Sequence, residues 1–187
     1  MAYKKYVKKS TQKPQLSGKM ASAIEGIKTA IQTEIDGYNF YFLAAQRTKN
    51  EKGKEMFQYL AEEELRHREI LEAQYKSLME EGKWGKIPKP TKVPKSFRAK
   101  SPIFSPEFSK RGKVQNFEMS ALSIGILLEQ RSIEFFSSLV KETEDPQAKM
   151  IFKALAKWEG EHLRTLTHQH NLLQREYWAD ARFEPLY

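Results

Sequence analysis

Apolar residues recur at three- and four-residue intervals through four long stretches of the chain, the spacing that lines one face of an α-helix. The first stretch runs from about residue 20 to 49, with Ile24, Ile27, Ile31, Tyr38, Tyr41 and Ala45 on one stripe. The second opens at Asn50, a residue whose side chain caps helix N-termini, carries Phe57, Leu60, Leu71 and Leu78, and stops at Gly82. The third covers about 116–144 with Leu122, Ile126, Ile133, Phe136 and Val140. The fourth opens with Asp145-Pro146, a cap followed by a proline at the first helical position. It carries Phe152, Leu155, Leu166 and Leu173 and is expected to end near residue 177. Nowhere do β-branched residues alternate between turn signals, so no strand is predicted.

Residues 82–115 separate the second and third helices and hold Pro88, Pro90, Pro94, Pro102 and Pro106. A helix of about 30 residues is roughly 45 Å long. A chain that must return along that length before starting the next helix needs a crossover of this size. The pattern predicts an all-α fold: a four-helix bundle over 20–177, made of two helical hairpins joined by a long crossover. Residues 1–19 read as a basic tail and 178–187 as a C-terminal extension.

The two hairpins repeat one another. Aligning 31–71 with 126–166, an offset of 95 without a gap, gives 11 identities in 41 positions. The apolar matches require only two similar hairpins. Glu34/Glu129, Glu64/Glu159 and His67/His162 are more informative, because each falls on the apolar stripe of its helix. A bundle that turns four carboxylates and two imidazoles inward must neutralise them. The members of each hairpin pair lie about 15 residues, hence roughly 22 Å, from the hairpin turn, so they stand level across the bundle. In E-x-x-H the two side chains share a helical face one turn apart. One Glu from each of two helices, with an E-x-x-H from each of the other two, is a ligand set for two metal ions. The competing reading is a buried polar cluster without metal. His168 and His170 fall outside the pattern and read as surface residues.

The segments TEIDGYNFYFLA, LAEEELRH, ILLEQRSIEFF and LAKWEGEH resemble the ferritin-like superfamily of dinuclear iron proteins, and within it most the rubrerythrin family. The resemblance covers roughly residues 20–177. It implies two iron ions, with manganese or a mixed pair as variants, held by Glu34, Glu64, His67, Glu129, Glu159 and His162. Glu64 and Glu159 would bridge, and Glu34 and Glu129 would be terminal. Tyr41 takes the place of a family tyrosine that hydrogen-bonds near the metals. The implied activity is reduction of hydrogen peroxide. The alternatives are ferroxidase or iron-handling chemistry, and oxidase or oxygenase chemistry with dioxygen. Rubrerythrins usually carry an extra carboxylate one turn after the third-helix Glu; here that residue is Ser132. Leu65 follows Glu64 where bacterioferritins use a haem-binding methionine, so no haem is expected.

Composition refines this picture at two points. There is no cysteine, which excludes thiolate metal sites, disulfides and any built-in rubredoxin-type centre. Electrons must then come from an external donor. The net charge of +8 is unevenly spread. Residues 1–20 carry six Lys and no acid, and 82–113 carry eight Lys and two Arg against Glu107 alone, so the remainder is acidic. Basic charge confined to a tail and a linker points to an acidic donor protein and away from a nucleic-acid fold. No segment is apolar over the ~18 residues of a membrane span, and no secretory signal follows the N-terminal lysines, so a cytoplasmic homodimer without a membrane partner is expected.

Overall fold

The computed structural model describes residues 18–100, 103–104 and 115–180. Four helices dominate: α1 (Gly18–Arg47), α2 (Glu51–Glu81), α3 (Gln115–Glu142) and α4 (Pro146–Asp180). No strand occurs among the described residues. α1 packs along α2 and α3 along α4, and the two hairpins join most visibly where α1 meets α3. The molecule is thus a four-helix bundle. Helix α1 starts two residues earlier than its periodicity suggests, and α4 runs three residues further, into the expected C-terminal extension. What was expected of 1–17 and 181–187 lies outside the described residues.

Local chemistry sets the hairpin turns. The Asn50 side chain accepts the Gly53 N–H at 2.9 Å, and Asp145 Oδ1 accepts those of Gln147 and Ala148 at 2.9 and 3.0 Å. These bonds satisfy helix N-terminal donors that have no partner within the helix. Gly82 ends α2 in the left-handed region at φ 65°, where a side chain would be strained. Two apolar clusters fill the bundle on either side of its middle. One is built around Tyr41, Phe57, Leu60, Leu122 and Leu166, the other around Ile27, Leu71, Phe136, Ile151 and Phe152.

The described part of the crossover packs on the bundle despite its prolines. A 3-10 turn spans Lys95–Arg98, and Phe97, Ile103 and Phe104 are buried in the first cluster, while Trp84 and Ile87 pack on the second. Two buried glutamines pin it to the bundle. Gln74 accepts the Gly85 N–H at 2.8 Å and donates to the Lys86 carbonyl at 3.2 Å. Gln169 accepts the Ile103 N–H at 3.0 Å and donates to the Phe97 carbonyl at 2.8 Å. The two differ by the repeat offset of 95, so each hairpin contributes the same clamp, one at the start of the crossover and one at Phe97 and Ile103 near its middle. His168, half-buried, adds a bond from its ring to the Ala99 carbonyl at 2.7 Å.

Replacing Gln169 by Ala strands the buried Ile103 N–H and Phe97 carbonyl. The expected loss is about 1–3 kcal/mol in urea unfolding, with faster proteolysis inside the crossover than in the helices. A variant as stable and as protease-resistant as the parent would show that the clamp does not hold the crossover.

Candidate metal centre

All six predicted site residues are buried, each at most 4% exposed, and they meet at the bundle's centre. Each helix supplies its share because the apolar stripe on which the residue sits is the one that faces inward. Two four-residue groups form. Glu34, Glu64, His67 and Glu159 bring one donor atom each to within 4.8 Å of one another, and Glu64, Glu129, Glu159 and His162 do the same. The groups share Glu64 and Glu159. His67 Nδ1 lies 2.9 Å from Glu159 Oε1 and 3.4 Å from Glu34 Oε2. His162 Nδ1 lies 3.1 Å from Glu159 Oε2 and 3.4 Å from Glu64 Oε1. These approaches are close but not aligned as hydrogen bonds: both Nδ1 atoms, both Glu159 oxygens and Glu34 Oε1 have no hydrogen-bond partner. Six buried metal-binding side chains crowded together, four of them with an unpartnered atom, suit a pair of cations between them.

Electrostatics divides the carboxylates. Burial pushes Glu34 and Glu129 well above the usual carboxylate range, and the neighbouring Glu64 and Glu159 push the same way. Burial acts on Glu64 and Glu159 too, but the two imidazoles outweigh it and hold both below their usual value. Burial would lower His67 and His162. Glu159 beside the first and Glu129 beside the second overcome it, and both rise well above their usual value.

Tyr41 is fully buried and donates a short hydrogen bond to Glu129 Oε1. Its pKa is pushed well above the ordinary phenol value by burial and then by Glu129 and Glu64, so the hydroxyl keeps its proton. Gly125 makes room for it: a Cβ there would come within 3.3 Å of the Tyr41 hydroxyl. The repeat-equivalent residue is Phe136, which has no hydroxyl to offer Glu34.

Two neighbours of the histidines escape the sequence pattern. Glu63, 6% exposed, places a carboxylate oxygen within 4.8 Å of a ring nitrogen of both His67 and His162. It is held by Arg66 at 2.7 Å and by the hydroxyl of Thr91 from the crossover. Trp158 stacks on His67 at 5.2 Å, and His67 stacks on His162 at 5.4 Å, making a column of three rings. The sequence pattern does not single out Glu63, one of three consecutive glutamates, and Trp158, next to Glu159, reads as a packing residue with electron transfer as the alternative.

The sequence profile of the rubrerythrin family matches residues 25–169, which include all four helices' share of this cluster. The chain belongs to the rubrerythrin family. The matched region is the family's ferritin-like domain, and the buried Glu/His cluster is compatible with its di-iron site. No curated protein and no solved structure matches the chain significantly.

Without metal, stability should fall as pH rises through neutrality. His67 and His162 are raised above 6.5, so their contribution is complete below 6.5 and is lost as pH climbs through the folded values. Glu34 and Glu129, raised above 4.5, act in the same direction. Glu64 and Glu159 are lowered, so their contribution is present above 4.5 and lost only in acid. Melting temperatures of chelator-treated protein should therefore decline as pH rises above 6.5, and the gap to metal-loaded protein should widen. A gap independent of pH would contradict this charge pattern.

Proposed function

We propose that Glu34, Glu64, His67, Glu129, Glu159 and His162 hold two iron ions and that the protein reduces hydrogen peroxide to water, using electrons from an external protein donor. The observation that carries this reading is the sharing of Glu64 and Glu159 between two four-residue groups, each with one further carboxylate and one imidazole. Carboxylate and imidazole donors suit iron, and also manganese or a mixed pair. Bound there, the two ions would supply both electrons that a peroxide needs in one encounter.

The chain's own residues set the conditions. The bundle excludes water from the cluster, which strengthens every charge interaction within it. Tyr41 fixes the Glu129 carboxylate and keeps a proton at its hydroxyl beside the site. Glu34 has no such restraint, since Phe136 replaces the tyrosine and Oε1 is unpaired. The two terminal carboxylates are therefore held unequally: Glu129 by the Tyr41 hydroxyl, Glu34 only by its neighbours within the cluster. Ser132 stands one turn after Glu129 and is the repeat equivalent of Gly37, where a Cβ would meet the Glu64 carboxyl carbon at 3.2 Å. Small residues at these two positions keep bulk away from the cluster.

The same reading places the protein in the cytoplasm as a homodimer. No described helix is long and apolar enough to cross a membrane. Phe42 and Leu43 on α1, and Ile124 and Leu127 on α3, are exposed apolar side chains of the kind a second copy would cover.

Metal titration of the chelated protein should show two ions per chain entering in two steps. Glu64→Ala or Glu159→Ala should remove both. Tyr41→Phe should weaken the tighter step about 10- to 100-fold, the usual effect of losing a partner that orients a ligand, and bring the steps together. Stoichiometric metal in either bridging variant would falsify the ligand assignment.

Stopped-flow reoxidation of the reduced, iron-loaded protein should be faster with hydrogen peroxide than with dioxygen. A dioxygen rate equal to or above the peroxide rate would shift the assignment to ferroxidase, oxidase or oxygenase chemistry.

A further inference from the structure

Basic residues along the first half of the crossover follow a strict spacing of three: Lys83, Lys86, Lys89, Lys92, Lys95 and Arg98. All six are exposed. The residues that turn toward the bundle fall between them. Trp84 and Ile87 pack on one core cluster, and Val93 and Phe97 on the other. From Gly85 to Pro94 the backbone is neither helix nor strand, and it contains Pro88, Pro90 and Pro94. Pro94 has φ −53° and ψ 135°, close to the polyproline conformation. A polyproline-like chain has three residues per turn and would set every third side chain over 83–92 on one edge, roughly 9 Å apart; the 3-10 turn keeps the same period over Lys95–Arg98 at roughly 6 Å. The crossover is thus a strap with an apolar edge set into the bundle and a cationic edge facing outward.

The strap is fixed in place. Gln74 clamps it at Gly85 and Lys86, and Gln169 clamps it at Phe97 and Ile103. Among the described residues none of the five lysines forms an ion pair, whereas Arg98 is engaged by Glu161 at 2.5 Å. No acidic residue lies between Gly82 and Lys100. A solvated face of ordinary composition would mix both signs.

The position of the strap gives the stripe its meaning. Thr91, between Lys89 and Lys92, donates its hydroxyl proton to Glu63. Glu63 in turn lies within 4.8 Å of a ring nitrogen on both His67 and His162. The middle of the stripe is therefore two side chains away from both imidazoles of the cluster. A polyanion held for its charge alone would gain nothing from this placement, whereas a redox partner would be brought to the histidine side of the site.

We infer that the lysine edge of the crossover is the docking surface for a small acidic one-electron carrier protein. The inference rests on the proposed redox reading of the centre. Each docking delivers one electron; two successive dockings supply the two that, with two protons, convert one hydrogen peroxide into two water molecules. The lysines steer the carrier, an effect that weakens with salt because the Debye length is about 8 Å at 0.15 M, close to the spacing of the charges.

The experiment compares the full-length iron-loaded protein with the variant Lys86→Glu, Lys89→Glu, Lys92→Glu and Lys95→Glu, after checking that both melt alike. The probe is an acidic [2Fe–2S] ferredoxin, its binding followed by NMR shifts in low and high salt. Reduction is followed separately with reduced ferredoxin and with reduced methyl viologen, a small cation that needs no docking site. The native protein should bind ferredoxin at low salt and release it at high salt. The variant should lose binding and at least about tenfold in its rate of reduction by ferredoxin, with the rate for cationic viologen not lowered. Equal ferredoxin binding by both proteins would overturn the docking surface. So would tighter binding of duplex DNA or RNA than of ferredoxin by the native stripe, which would assign it to nucleic acid. Charge-dependent ferredoxin binding with no reduction by either donor would leave the docking face standing and sink the redox reading of the centre.

Discussion

Four carboxylates and two imidazoles lie in the dry middle of this bundle, and everything around them answers to that. An isolated buried carboxylate is too unfavourable to leave charged, so it takes a proton, a partner or a metal. Here the partial answer is visible in the protein alone. Glu64 and Glu159 stay charged against His67 and His162, while Glu34 and Glu129 lean toward the neutral form. That arrangement brings the cluster near neutrality with protons in the places where cations would bind. Metal uptake and proton release are then two sides of one exchange. The apolar clusters on either side press the exchange, because they shield the charges from bulk solvent.

Much of this was legible in the sequence, for physical reasons that also mark its limit. Helix periodicity shows which side chains face inward, so a Glu or His on an apolar stripe stands out. Asn50, Asp145 and Gly82 announce helix ends through bonds made within a few residues. The crossover gave no such signal. Its anchors, Gln74 and Gln169, act over long sequence separations, and glutamine is ordinarily a surface residue. Phe97 and Phe104 enter the core from a segment without periodicity. Glu63 could be singled out only by knowing that Thr91 folds back over it.

Duplication explains why the centre is nearly symmetric, and three departures from symmetry stand next to its six residues in sequence or in space. Tyr41 faces Glu129 where Phe136 occupies the equivalent place. Glu63 sits behind the imidazoles where the other half has Trp158, stacked on His67. Gly37 corresponds to Ser132. None of the three changes the six central residues, so each half keeps its donors. What differs is how firmly those donors are held and what lies behind them. A duplicated hairpin can tolerate such divergence because its core contacts, such as Phe57/Phe152 and Leu60/Leu155, remain matched.

The crossover connects these two themes. Its length is imposed by topology, since α2 and α3 each need a connection running the length of the bundle. A strap of that length must be fastened, and the repeat provides matching glutamines at its start and near its middle. Once it is fastened and extended, alternate use of its edges follows from backbone geometry: what does not pack must face water. Charge is then free to vary on the outer edge without disturbing the core. Thr91 ties that edge to Glu63, and Glu63 touches the surroundings of both histidines. The same segment that closes the bundle therefore presents a surface two side chains from the imidazoles, through which the outside can act on the cluster.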